Sequence, residues 1–188
     1  MILETEKKIP DFEKELIFEA KNGNLDAFEK LVIHFQTRIF RYLLHFTGNQ
    51  SNAEDLAQET FILFFRKIHL HDSAKPILTW LISIARNVAI SSNRKCKPTP
   101  LEPAFFSFLP EKNPNNPEII AEMKEISNEV HLALQEIPED SREILIIRYI
   151  MDTSLEETAK LLEIPAGTAK SRLFKARNDL RQVFSRND

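Results

Sequence analysis

The sequence predicts an all-α protein: two small helical domains joined by a Pro-rich linker, the C-terminal one a helix-turn-helix. Three observations predict it. Glycine occurs only three times in 188 residues, at Gly23, Gly48 and Gly167. Tight hairpins use glycine heavily because it adopts positive φ cheaply, so a sheet-rich fold is disfavoured. Helix-capping sequences recur in both halves of the chain. Six of the ten prolines (Pro98, Pro100, Pro103, Pro110, Pro114 and Pro117) lie between Lys97 and Pro117, where they remove backbone donors and disfavour helix before them. The expected boundaries are 1–96 for the first domain, 97–117 for the linker and 118–188 for the second.

The elements follow in order. Gly23 can cap a first helix running from about Phe12 to Asn22, and Asp26 sits near the start of a second that ends at Gly48. Ser51-Asn52-Ala53-Glu54 has the form of a capping box and opens a third helix towards His69. Pro76 suits the first turn of a fourth, Ile77 to about Lys95. In the linker, Phe105, Phe106 and Phe108 interrupt the polar run; either they dock in a groove or they pack on their own domains. A fifth helix spans about Glu118 to Glu136, and Pro138 opens a sixth through Met151. Ser154-Leu155-Glu156-Glu157 is a second capping box, starting a short helix to Leu162, and the last helix occupies roughly Ala166 to Phe184.

Charge is distributed unevenly. The net charge is −3, yet residues 164–188 hold six cations against Asp179 and Asp188, a local +4 that leaves −7 for the rest. A basic tail on an acidic body suggests two surfaces for two partners. The sole cysteine, Cys96, has no partner for an intrachain disulfide or a zinc site. The opening MILETEKKIPDFEKE is too charged for a signal peptide, and no apolar run approaches membrane-spanning length. A cytoplasmic protein without membrane insertion is the expectation.

Residues Ser154 to Ala176 have the layout of a helix-turn-helix: a short capped helix, a turn at Glu163-Ile164-Pro165, then a longer basic helix. The turn lacks the glycine often found there. At about 100° per residue, Ala169, Leu173, Ala176, Leu180 and Phe184 fall on one stripe, which is the expected buried face. Lys170, Ser171, Phe174 and Lys175 project from the opposite side, in the half of the helix that enters a major groove in this motif. A surface helix gains nothing by exposing a phenylalanine, but against DNA Phe174 can pack on a thymine methyl. Lys170 and Lys175 can donate to guanine or phosphate, and Arg172, flanking this face, suits phosphate.

Two signatures then add a family. IPEDSRE and GTAKSRLFKAR in the C-terminal half resemble the fourth domain of bacterial sigma factors, and upstream NAEDLAQETF and TWLISIARNVAI resemble helices of their second domain. Together, in this order, they are similar to the extracytoplasmic-function (ECF) group of the sigma-70 family, which keeps only these two domains. The resemblance implies a protein that binds core RNA polymerase, directs it to promoter DNA and helps melt the −10 element. It assigns the −35 duplex to Lys170, Ser171, Arg172, Phe174 and Lys175. Asp55, Gln58 and Glu59 would dock on polymerase, and their spacing does put them on one helix face.

On the fourth helix, Ile77, Trp80, Leu81, Ile84 and Val88 form an apolar stripe, while Thr79, Ser83, Asn87 and Arg94 line another, with Ile90 among them. The resemblance implies that Asn87 lies near the pocket for an unstacked −10 base. Arg94, Lys95 and Lys97 could follow the single strand, where cations attract without reading sequence. The chain departs from the family pattern at His71-Asp72-Ser73, Ser83 and Ser91.

An anti-sigma factor is the silencing partner the resemblance implies, and the free protein is expected to be a monomer. No cofactor or metal is expected: His69-x-His71 with Asp72 lacks further ligands at standard spacing. No nucleophile–base arrangement points to an enzyme. A stand-alone helix-turn-helix regulator would typically dimerise on a palindrome and leave the Asp55–Glu59 face without purpose. A helical adaptor that binds only proteins would fail to footprint any promoter.

Overall fold

A computed structural model describes residues 10–73, 75–92 and 128–187. Phe105, Phe106, Phe108, Arg94, Lys95, Cys96 and Lys97 lie outside them. The described elements are α1 (Asp11–Lys21), α2 (Leu25–Thr47), α3 (Gln50–Lys67) with a 3₁₀ turn at Ile68–Leu70, and α4 (Ile77–Ser92). Residues 128–136 form α5. Then come α6 (Glu139–Leu145), continued as a π-helix over Ile146–Ile150, α7 (Leu155–Leu161) and α8 (Ala166–Asn187).

The first four helices pack as a bundle, with α2 against α1, α3 and α4. The reason is visible in α2, which buries Leu31, Phe35, Ile39, Tyr42 and Leu43 completely. Its amphipathic stripe widens towards the C-terminus, where Tyr42 through Phe46 are all buried. Asn24 caps its start, accepting from Ala27 N at 3.1 Å. Gly48 ends it in the left-handed conformation, φ 73°, with its N–H on the Leu44 carbonyl at 2.8 Å.

The third helix starts differently from expectation. Its cap is Asn49, whose side chain accepts from Asn52 N at 3.0 Å, and Ser51 lies inside the first turn. Gly48 turns the chain so that Asn49 takes the extended backbone an N-cap needs, φ −137° and ψ 126°. The fourth helix buries the expected Ile77, Leu81, Ile84 and Val88, and also Ile82, Ala85 and Ala89. It is covered on more than one side, which a single-stripe reading misses.

The C-terminal elements gather around α8, which packs on α6 and α7. Ala169, Leu173 and Ala176 are buried as the periodicity predicts; Leu180 and Phe184 are half-buried, and Val183 joins the core. The Ser154 capping box forms in full: Ser154 Oγ accepts from Glu157 N at 3.1 Å, and Glu157 Oε2 accepts from Ser154 N at 2.7 Å.

The two groups of helices meet at the end of α2. Its last carbonyls, which have no partner within the helix, are capped from the other half. Gln135 Nε2 donates to the His45 carbonyl at 2.8 Å, and Arg142 Nη1 to the Phe46 carbonyl at 2.9 Å. Buried side chains from both halves form one continuous apolar cluster.

Candidate nucleic-acid and polymerase interfaces

The turn between α7 and α8 sets the angle of the candidate reading helix. It is a Schellman motif: Ile164 N donates to the Ala159 carbonyl at 3.0 Å and Glu163 N to the Lys160 carbonyl at 3.2 Å. With no glycine available, Glu163 itself takes the left-handed position, φ 56°. Pro165 follows, and its carbonyl accepts from Ala169 N at 2.9 Å.

The structure places Lys170, Ser171, Phe174 and Lys175 together on the outer face of α8. All four are exposed, and Phe174 is 62% accessible while Ala169 and Ala176 on the packed side of the helix are fully covered. Ser171 Oγ donates to the Thr168 carbonyl at 3.0 Å. Arg172 sits apart. Its side chain is 27% accessible and its Nη2 is 3.9 Å from Asp140, so it leans towards α6 instead of standing in solvent.

On α3, Asp55, Gln58 and Glu59 share an exposed face, backed by buried Ala53, Leu56, Thr60 and Phe64. Thr60 satisfies its buried hydroxyl by donating to the Leu56 carbonyl at 2.7 Å. Ile62 and Phe65, both about half accessible, continue the surface one turn on.

The third patch is the turn before α4. His71 is buried with its ring 5.1 Å from Trp80. Burial, with the Lys21 ammonium nearby, holds its imidazole below the usual range, so it packs as a neutral plate. Lys21 reaches across from α1, donating to the His71 carbonyl at 2.8 Å and to Ser73 Oγ at 3.3 Å. Asn87 is exposed on α4, one turn beyond Ser83, whose Oγ donates to the Thr79 carbonyl at 3.0 Å.

Comparison with known proteins agrees with this geometry. The family descriptions Sigma-70 region 2 and Sigma-70, region 4 match residues 31–98 and 127–180 respectively. The ECF RNA polymerase sigma factor SigW of Bacillus subtilis is 31% identical over 177 residues, covering 90% of this chain and 95% of that protein. The RNA polymerase sigma-H factor of Pseudomonas aeruginosa is 30% identical, covering 88% and 90%.

The chain belongs to the ECF group of the sigma-70 family.

As a member of that group it is a promoter-specific RNA polymerase sigma factor, acting in transcription initiation. Solved structures share its fold. CnrH in complex with the cytosolic domain of CnrY aligns with TM-score 0.70 at 20% identity, over 95% of this chain and all of that one. The sigma factor RpoE in complex with the anti-sigma factor NepR from Bartonella quintana aligns at 0.67 and 21%, over 84% and 96%.

Sequence reasoning about this sigma factor missed the groups that bind its parts to one another. Lys21 and the turn it holds are 50 residues apart. Arg86 Nε donates to Glu143 Oε1 at 2.8 Å across 57 residues. Tyr42 Oη lies 3.4 Å from the same oxygen across 101. No local spacing announces such pairs.

Proposed function

We propose that this sigma factor recognises promoters at two points, with the residue roles that follow. The second-domain region, 1–96, carries the −10 and polymerase contacts; 97–117 is a linker; 118–188 carries the −35 contacts. Lys170, Ser171, Phe174 and Lys175 read the −35 duplex in the major groove. Arg172 contacts phosphate, for which it exchanges its weak approach to Asp140. Asn87 lies at the pocket for a −10 base, and Arg94 and Lys95 attract the melted strand. Asp55, Gln58 and Glu59 dock on core polymerase; an acidic and amide face suits a basic protein surface and repels phosphate. The protein acts in the cytoplasm, as a monomer when free, and catalyses nothing itself. Among the described residues no helix is long and apolar enough to cross a membrane.

The observation that supports this reading best is Phe174. Phe174, 62% accessible beside two exposed lysines and opposite the buried Ala169, Leu173 and Ala176, gains little from burial in the free protein. Run-off transcription with core polymerase on promoter variants tests it. Phe174→Ala or Lys175→Ala costs about 1–3 kcal/mol of promoter affinity and relaxes preference in the −35 element alone, whereas Arg172→Ala weakens every sequence alike. Equal preference in wild type and Phe174→Ala would remove α8 from sequence reading.

The anti-sigma partner of the Bartonella quintana sigma factor suggests the regulator here. A protein that covers the exposed α3 and α8 faces would silence both contacts. Binding only the folded form, it raises the melting temperature of the sigma factor when co-purified with it; a genomic neighbour that leaves the melting temperature unchanged is not that partner.

A further inference from the structure

One residue of α8 works against the attraction of the rest for DNA. Between Ala166 and Asn187 the helix carries six cations (Lys170, Arg172, Lys175, Arg177, Arg181 and Arg186) and a single carboxylate, Asp179. A negative charge on a helix that approaches phosphates weakens binding. Lys175 precedes it by one turn, the spacing of a helical ion pair. The carboxylate is instead bonded across to α6: Ser141 Oγ donates to Asp179 Oδ2 at 2.7 Å. Ser141, in the first turn of α6, is 2% accessible, and Asp179 is half-buried. The preceding residue of α6, Asp140, is the one that Arg172 approaches at 3.9 Å. Arg172 and Asp179 stand two turns apart on one flank of α8, so successive residues of α6 meet that helix at two heights.

These contacts fix something that apolar packing does not. Through Ala169, Leu173 and Ala176 the helix is drawn onto the core, but hydrophobic attraction is non-directional and leaves the roll of a helix about its own axis weakly set. A hydroxyl–carboxylate bond is directional and short. With side chains reaching about 6 Å from the axis, a roll of about 15° carries their tips about 1.5 Å sideways. Productive recognition tolerates about 0.5 Å. In its proposed role Arg172 leaves Asp140 for a phosphate when DNA binds, so of these two contacts only the Ser141–Asp179 bond then remains.

We propose that Ser141 and Asp179 form a rotational lock on α8. They are positioning residues: without touching DNA, they hold the roll at which Lys170, Ser171, Phe174 and Lys175 face the groove, and so set the sharpness of −35 selection. The inference rests on the −35 reading above and adds to it the side chains that aim the helix. The carboxylate is kept on a basic helix because its directional bond matters more to selection than its charge costs in attraction.

Binding of the full chain with core polymerase to a promoter, in competition with single-base −35 variants of that promoter, tests the lock. Where one good base contact discriminates about tenfold, Ser141→Ala and Asp179→Ala each reduce the ratio to about twofold. The double variant is no worse than either, since both changes remove one bond. Ser141→Ala takes away only a hydroxyl and leaves a half-buried carboxylate that water can reach, so the fold survives it. Asp179→Asn keeps an oxygen to accept from Ser141 and discriminates as the wild type does. Both Asp179 variants bind every sequence more tightly, because both remove the negative charge; a residue acting through charge alone would make them indistinguishable. Val183→Ala, which trims the buried face of the same helix, lowers the melting temperature and leaves discrimination unchanged. Wild-type discrimination in Ser141→Ala and Asp179→Ala, or equal blurring by Asp179→Asn or Val183→Ala, overturns the lock. Phe174→Ala shows which reading has failed. If it blurs −35 preference while the Ser141 and Asp179 variants do not, the lock falls and the two-point reading stands. If no variant alters −35 preference, Phe174→Ala included, the two-point reading falls and the lock with it.

Discussion

Phe174 and Glu163 show how far a single residue can be read from its neighbours. Phe174 was legible because helix phase is local: once Ala169, Leu173 and Ala176 define the packed edge, the ring five residues beyond Ala169 must point away from it. Its 62% accessibility agrees with that geometry. The conformation of Glu163 was not legible. The turn plainly lacked glycine, but nothing local shows which side chain bears the left-handed backbone instead. Holding φ at 56° without glycine costs free energy, since Cβ crowds the following carbonyl. Glu163→Gly therefore raises stability by about 1 kcal/mol, somewhat reduced by the freedom glycine adds to the unfolded chain. Chemical denaturation measures it. A drop in the midpoint would mean that the Glu163 side chain contributes more than its backbone costs.

At the scale of elements, the sequence specified existence and type well and ends less well. Caps at Ser154 and the stop at Gly48 were readable because a side-chain oxygen, or a missing Cβ, acts within three or four residues. The start of α3 was misread because two candidate caps, Asn49 and Ser51, stand two apart, and the choice belongs to the turn that Gly48 makes before them. The turn at 71–73 was harder still. Its position depends on Lys21 of a different helix, which anchors the His71 carbonyl and Ser73 Oγ at 2.8 and 3.3 Å. Lys21→Met keeps the aliphatic stem and removes both bonds. Under the proposed −10 role of this region, the substitution blurs preference among −10 sequences several-fold in run-off transcription and leaves −35 preference as it was. Unchanged −10 preference would show that α4 holds the recognition geometry without help from α1.

At the scale of the molecule, the sequence described two bodies and a linker, and its charge asymmetry suggested two surfaces. What it could not show is that the bodies share a core, because the groups that join them are polar and far apart in the chain: His45 with His131, Arg86 with Glu143, Gln135 with a carbonyl of α2. Gly48 sits at the hinge of this contact. A Cβ built there falls 2.6 Å from Gln135 Oε1 and 2.7 Å from its Cδ, on a backbone at φ 73° that disfavours any L side chain. Gly48→Ala therefore acts twice. It strains the end of α2 by about 1–2 kcal/mol, and it pushes Gln135 off the His45 carbonyl, losing a hydrogen bond worth about 1 kcal/mol. The shared core predicts one cooperative unfolding transition in the wild type. In Gly48→Ala, calorimetry at pH 8 resolves two, with α1–α4 melting at the lower temperature because the strain falls on α2. One transition at the wild-type temperature would mean that Gln135 swings aside freely and that the halves are joined without it.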